Sequence, residues 1–376
     1  MKGKIIFVLF VVLLASCRED VMIFSPEEEQ HGHAQNTKIV GFYLLNEGNM
    51  GSNKSTLDFY DYSTAMYSRN IFAEANPTVP KELGDVGNDI QIYGSRLYAV
   101  INCSNKIEVM DAKTCKKIGQ VDIPNCRYIR FDKQYAYVTS YAGPVSFDPE
   151  LEQIGYVAKF DTATLEIVAQ CLVGYQPDEL AIANDKIYVA NSGGYRFPNY
   201  ENTVSVIDLN TFTEQKRIEV AINLHRVRMD NHGQLWVASR GDYYDVSSKL
   251  YCIDTQTDEV VDSVEIAVSN MDIVGDSLYA CATEWSYNEM NNTIAYGIVN
   301  TKTHEIVSSN FITDGTEQKI KIPYGIKVNP ETREIFVTDA KDYVSPGTLY
   351  CFSPEGKKRW EVRTGDIPAH IVFLKK

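Results

Sequence analysis

The apolar positions of the chain fall in short runs, and no segment carries a convincing long amphipathic helical pattern. Seven runs are centred on Tyr43, Tyr98, Tyr137, Tyr188, Trp236, Tyr279 and Phe336. Most read apolar–aromatic–Val–small, as in Ile187-Tyr188-Val189-Ala190, Leu235-Trp236-Val237-Ala238 and Ile335-Phe336-Val337-Thr338. β-Branched and aromatic side chains suit a pleated, half-buried surface, so each run predicts a strand.

A polar signal follows each run in the same phase. Asp61-Tyr62-Ser63-Thr64, Asp111-Ala112-Lys113-Thr114, Asp161-Thr162-Ala163-Thr164 and Asp208-Leu209-Asn210-Thr211 come first. Asp254-Thr255-Gln256-Thr257, Asn300-Thr301-Lys302-Thr303 and a degenerate Ser353-Pro354-Glu355-Gly356 complete the series. The steps between them are 50, 50, 47, 46, 46 and 53 residues. Asp or Asn can accept from its own backbone two residues on, so each signal predicts a hairpin turn. A third strand type lies upstream, in Pro177-Asp178-Glu179-Leu180, Pro323-Tyr324-Gly325-Ile326 and Pro368-Ala369-His370-Ile371. The unit therefore runs inner strand, tight turn, second strand, long loop, third strand, Asp-turn, outer strand. A repeat of this length built from short strands predicts an all-β, seven-bladed β-propeller with four antiparallel strands per blade.

The ends of the repeat are out of phase. The chain stops after one inner strand, His370-Ile371-Val372-Phe373, and its first repeat opens on a second strand, Val40-Gly41-Phe42-Tyr43-Leu44. Pairing the two completes the seventh blade and leaves no open sheet edge. Residues 39–376 are then one ring.

On one face of such a ring the turns are short. The other carries long insertions at 140–155, 191–203, 239–249, 282–293 and 338–348. Their candidate ligand-binding aromatics are Tyr141, Tyr195, Phe197, Tyr243, Tyr244, Trp285, Tyr287 and Tyr343, with Phe147, Tyr200 and Met290 nearby in sequence. Residues leading into the inner strands add polar candidates at the channel mouth: Asn88, Asp89, Arg127, Asp178, His225, Arg226, Asp272, Tyr324 and His370. An aromatic-lined hollow with a few converging polar groups is what a sizeable organic ligand needs.

Composition narrows the function further. Thirty-six Lys and Arg against 50 Asp and Glu give a net charge of −14, which argues against general nucleic-acid binding. No Gly-x-Ser-x-Gly elbow, His-Glu-x-x-His pair or phosphate-cradling Gly-Lys-Ser loop is present, so neither a catalytic residue nor a catalytic cofactor is assigned. Asp89, Asp178, His225, Asp272 and His370 come from different blades, where convergence on a metal is the alternative to hydrogen-bonded channel lining. Beyond Cys17 there are seven cysteines, none in CxxC spacing, which gives no zinc site and no complete disulfide framework. A single bridge, for example Cys103 to Cys126, stays open.

The first residues read as an address. A basic start, Met1-Lys2-Gly3-Lys4, precedes the apolar Ile5–Leu14, too short for a bilayer-spanning helix of roughly 20 residues. Leu14-Ala15-Ser16-Cys17 resembles a bacterial lipobox, which implies a signal peptide over 1–16 and lipidation of Cys17. Loss of Lys2 and Lys4 takes the net charge from −14 to −16. Residues 17–38 then form a flexible acidic tether. Arg18-Glu19-Asp20 after the cysteine resembles the export signal of Bacteroidetes-type surface lipoproteins, which implies an outer-membrane, lipid-anchored protein facing the medium.

The Asp-x-x-Thr turns, together with Leu45-Asn46-Glu47-Gly48-Asn49-Met50-Gly51-Ser52-Asn53 and Leu83-Gly84-Asp85-Val86-Gly87-Asn88-Asp89, resemble the YncE-like surface propellers of Bacteroidetes. The resemblance covers nearly the whole mature chain. Its best-understood members are BtuG-like lipoproteins that capture cobalamin and pass it to a TonB-dependent outer-membrane transporter. It implies a non-enzymatic binder with cobalamin as transported ligand, that transporter as partner, and membrane contact through the lipid alone. The competing readings are a propeller enzyme (lactonase or polysaccharide lyase) and a glycan-binding surface protein.

Overall fold

The computed structural model describes residues 27–376 except 81, 151 and 289. The expected signal peptide, Cys17 and the start of the expected tether lie outside the described residues.

Seven sheets form the expected ring. Blades 1 to 6 occupy residues 87–122, 126–175, 177–219, 224–264, 270–308 and 323–366 in chain order. Blade 7 is built from both ends: Pro368–Lys375 is its inner strand, and it pairs antiparallel with Ile39–Asn46. Thr56–Asp61 and Met66–Ser68 follow outward. A fifth strand then adds to this blade, because Glu28–Gln30 pairs with Met66–Ser68. Part of the expected tether is therefore ordered against the ring. Arg69 holds it there by ion pairs to Glu27 and Glu29.

The core lies between the blades. Each of the seven interfaces between neighbouring sheets holds one apolar cluster. The repeated aromatic of the second strand sits in it: Tyr43, Tyr98, Tyr137, Tyr188, Trp236, Tyr279 and Phe336 are all buried. Burial favours a partner for each polar tip. Tyr43 donates to the Ala112 carbonyl at 2.8 Å, Tyr188 to Asp258 Oδ1 at 2.7 Å, and Trp236 Nε1 to Asp230 Oδ2 at 2.9 Å. Inner strands approach closely around the channel. A Cβ on Gly325 would lie 2.2 Å from the Ala369 carbonyl oxygen of blade 7, so only glycine fits there.

The Asp-turns form as expected and contain one further residue. In blade 3, Asp208 Oδ1 accepts from Asn210 N at 2.9 Å and Thr211 N at 2.8 Å. Phe212 then takes a left-handed conformation (φ 52°) and donates its N–H to the Asp208 carbonyl at 2.8 Å. Ala65, Cys115, Leu165, Asp258 and His304 hold the matching left-handed position in other blades. None of these is glycine, so the sequence carries no sign of the conformation.

One sequence expectation changes here, and one open alternative is not taken. Residues 282–293 do not form a loop: Ser277–Ser286 and Asn291–Asn300 make one long hairpin, with Ser286 opposite Asn291. All seven described cysteines are free, including Cys103 and Cys126. Among the described residues no helix is long and apolar enough to cross a membrane.

Candidate functional site

The long connections of blades 2 to 6 rise on one face, and backbone caps shape them. In blade 4, Asp242 Oδ1 accepts from the N–H groups of Tyr244, Asp245 and Val246 at 2.9, 2.9 and 2.8 Å. The chain reverses at Gly241 (φ 65°), where a Cβ would strike the Val246 carbonyl oxygen at 1.8 Å. This reversal sets Arg240 beneath the two tyrosines that follow. The tip of the blade 5 hairpin docks on the same loop: Tyr287 N donates to the Tyr243 carbonyl and Asn288 Nδ2 to the Tyr244 carbonyl, both at 3.0 Å. The blade 3 loop is tied to that of blade 2 by Arg196, which stacks on Tyr175 with 3.7 Å to the ring centre and donates to the Pro149 carbonyl at 3.0 Å.

These ties bring the aromatics together. Tyr141, Tyr195, Phe197, Tyr243, Tyr244 and Tyr287 wall one cavity of about 450 Å³ with Phe147 and Tyr200, and Arg240 also lines it. Phe197 lies 5.5 Å from Tyr244, Tyr244 stacks on Tyr287 at 4.9 Å, and Tyr287 meets Trp285 edge-on at 6.1 Å. Trp285 lines a neighbouring cleft of about 320 Å³ with Glu284, Tyr243 and Arg240. Phe147 (80%), Phe197 (50%), Tyr244 (42%) and Tyr287 (50%) keep much of their surface in solvent. Aromatic side chains of four residues thus face solvent side by side, the kind of surface on which interaction sites are commonly found. Tyr343 belongs to another part of the rim, against Tyr324 of blade 6 at 5.9 Å.

Beneath the bowl lies a charged hub. Asp178, fully buried, accepts from Tyr141 Oη at 2.9 Å, from Arg127 Nε and Nη2 at 3.3 Å and from Arg240 Nη1 at 3.4 Å. His225 Nδ1 sits 3.7 Å from the same carboxylate and has no hydrogen-bond partner. Burial, then the nearby Arg240, Arg226 and Arg127, hold this imidazole well below its usual pKa and therefore neutral. Arg226 donates to Tyr128 Oη at 2.5 Å and to the Ser269 carbonyl at 3.3 Å. Across the mouth, Tyr324 Oη donates to Glu47 Oε2 at 2.8 Å, and His370 Nε2 lies 3.1 Å from Glu47 Oε1.

The remaining polar candidates bind blade to blade. Asn88 donates to the Arg127 carbonyl at 2.7 Å. Asp89 accepts from Ile129 N at 3.0 Å and Arg130 at 2.8 Å, and Asp272 from Val328 N at 2.9 Å and Lys327 at 2.8 Å. Glu179 does the same, accepting from Val227 N at 3.0 Å and pairing with Arg130 and Arg228. Carboxylates of blades 1, 3 and 5 thus bond cations of blades 2, 4 and 6, a ladder around the channel. Burial alone would raise the Glu179 carboxyl, but Arg228, Arg130 and Arg226 outweigh it and bring the pKa down to about 2 from 4.5. A lowered acid contributes stability above pH 4.5 that is lost as pH falls through 2. Thermal melts should show that acid limb, and Glu179→Gln should flatten it while costing about 3 kcal/mol at neutral pH.

Among the described residues, no three His, Cys, Asp or Glu side chains come together as a metal site. Asp89, Asp272 and His370 line one cavity of about 210 Å³, and Asp178 lies beside His225. One triad-like line exists on the opposite face, with Cys252 Sγ 4.0 Å from His304 Nε2 and His304 Nδ1 2.8 Å from Asp262 Oδ2. Cys252 is fully buried and burial pushes its thiol up to about 12, so it has neither access nor a thiolate. Sequence reading missed Arg240, Glu47, Glu179, Arg130 and Arg228. Arg240 stands at the start of an insertion already noted for its tyrosines, and Glu47 lies inside the Leu45–Asn53 stretch.

Solved structures with this architecture include Kuenenia stuttgartiensis hydrazine synthase, at 15% identity and TM-score 0.60 over 77% of this chain and 95% of that one. A quinonprotein alcohol dehydrogenase-like protein of Bacteroides thetaiotaomicron matches at 14% and 0.58 over 90% and 79%. A candidate 6-phosphogluconolactonase of Bacteroides fragilis matches at 10% and 0.63 over 91% and 100%. At such identities the likeness is one of fold. No curated protein matches the sequence. The profile of a domain of unknown function, DUF5074, matches residues 40–373, nearly the whole ring, and the chain belongs to that family.

Proposed function

We propose that the protein is a surface-anchored binding protein that captures cobalamin or a related corrinoid in the aromatic bowl and passes it to a TonB-dependent transporter in the outer membrane. The observation that carries this reading is the wall running from Phe197 through Tyr244 and Tyr287 to Trp285, held by loop-to-loop hydrogen bonds above Arg240. A corrinoid is broad and fringed with amides. Its face suits rigid aromatics, which give wide contact at small entropic cost, and its rim suits carbonyls, hydroxyls and guanidinium groups. The resemblance read from the Leu45–Asn53 and Leu83–Asp89 segments and the lipobox at Cys17 supply the ligand class and the address. The full-length chain in detergent should bind cyanocobalamin in calorimetry, with a shift of the visible spectrum. Absence of binding at micromolar protein would remove the corrinoid reading.

The Trp285 cleft supports a second reading. A half-buried indole and tyrosines lining one cleft would also suit a sugar ring with its hydroxyls. An oligosaccharide panel in the same assay separates the two.

A further inference from the structure

Charge at the floor of the bowl is unbalanced. Arg127 and Arg240 share a single buried carboxylate, Asp178, in a chain whose net charge is strongly negative. Arg240 is the outermost of them, with a side chain 28% exposed that lines both the 450 Å³ cavity and the 320 Å³ cleft. Among the described residues its guanidinium donates to one acceptor, Asp178 Oδ2, at a long 3.4 Å. Asp178 already serves Arg127 and Tyr141, so two guanidinium groups share one negative charge. The neighbouring His225 adds no charge, and its Nδ1 is buried without a partner. A guanidinium fork with free donors, fixed in place and half removed from water, matches the oxygens of phosphate.

We propose that Arg240, backed by Arg127, forms a seat for a phosphate group carried by the ligand that lies on the aromatic wall. The seat rests on the reading that the bowl receives a ligand, and it adds what that ligand presents to the floor. Phosphate oxygens would take the unused Arg240 donors, and the second guanidinium would neutralise the added charge. In a site only partly open to solvent this attraction is stronger than at a free surface, and it weakens with salt.

The test uses the full-length chain in detergent with inorganic phosphate as the probe, followed by calorimetry. Saturable binding in the millimolar range is expected, weakened about tenfold or more in Arg240→Met, in keeping with loss of a charge-assisted fork. Asp178→Asn should act in the opposite direction and tighten phosphate, because it removes the competing carboxylate. A second arm compares cyanocobalamin, which carries a phosphodiester, with dicyanocobinamide, which lacks it. Arg240→Met should weaken the first by a clearly larger factor than the second, and an equal loss for both would count against the seat. Phosphate binding that is absent, or equal in wild type and Arg240→Met, overturns the seat even where corrinoids bind. Phosphate binding lost in Arg240→Met with neither corrinoid bound upholds the seat and removes the corrinoid reading alone.

Discussion

Replacing Tyr244 and Tyr287 together by alanine should lower the affinity for cyanocobalamin about a hundredfold and leave the fold intact. The two rings stack at 4.9 Å with an 18° tilt, and the two residues are 42% and 50% exposed. Central aromatic anchors of an interface each contribute on the order of 1–2 kcal/mol, and two of them reach this effect. Neither ring belongs to the inter-blade core, so unfolding stability should move by no more than about 0.5 kcal/mol. Calorimetric titration against the wild type measures the first quantity and thermal melting the second. Unchanged affinity in the double variant would place the ligand elsewhere.

The largest effect on stability is expected from Asp178→Asn. The carboxylate is fully buried and is the shared acceptor for Tyr141, Arg127 and Arg240. Asparagine keeps the volume but leaves two guanidinium groups facing each other without their counter-charge. Breaking one side of a buried ion pair costs about 3–5 kcal/mol, and denaturant unfolding should show a loss of that size. The Asp-turn carboxylates offer a contrast. Asp208 is at the surface and bonds only its own turn, so Asp208→Ala should cost about 1 kcal/mol.

The contrast explains what could be read in advance. The ring, its blade count and its closure follow from residues that repeat because every blade needs the same aromatic in the same interface and the same cap on the same turn. Tyr188 and Trp236 are seven-fold features of this sort, and a period exposes them. The left-handed residue after each Asp-turn escaped, because Leu165, Phe212 and His304 share no side-chain property that announces it. The loop tyrosines were legible as a group, since long aromatic insertions in a propeller can only collect at one rim. Which polar residues lie under them was not. Asp89 and Asp272 look equivalent to Asp178 in the sequence, yet two of them bond the next blade and one meets the bowl. That difference depends on how far along each inner strand the side chain falls, a register that the repeat does not fix. Blade 5 shows the same limit: its insertion reads as loop, but the facing residues pair and extend the sheet by several rungs.

The central claim is that ligand sits on the aromatic wall of blades 3 to 5, above Arg240. A crystal structure of the protein grown with cyanocobalamin addresses it most directly. The account predicts density for a corrin ring against Tyr244 and Tyr287, with its phosphodiester toward Arg240. Density at the Asp-turn face, between outer strands, or on the Tyr324–Tyr343 rim with the blade 3 to 5 wall empty would contradict it.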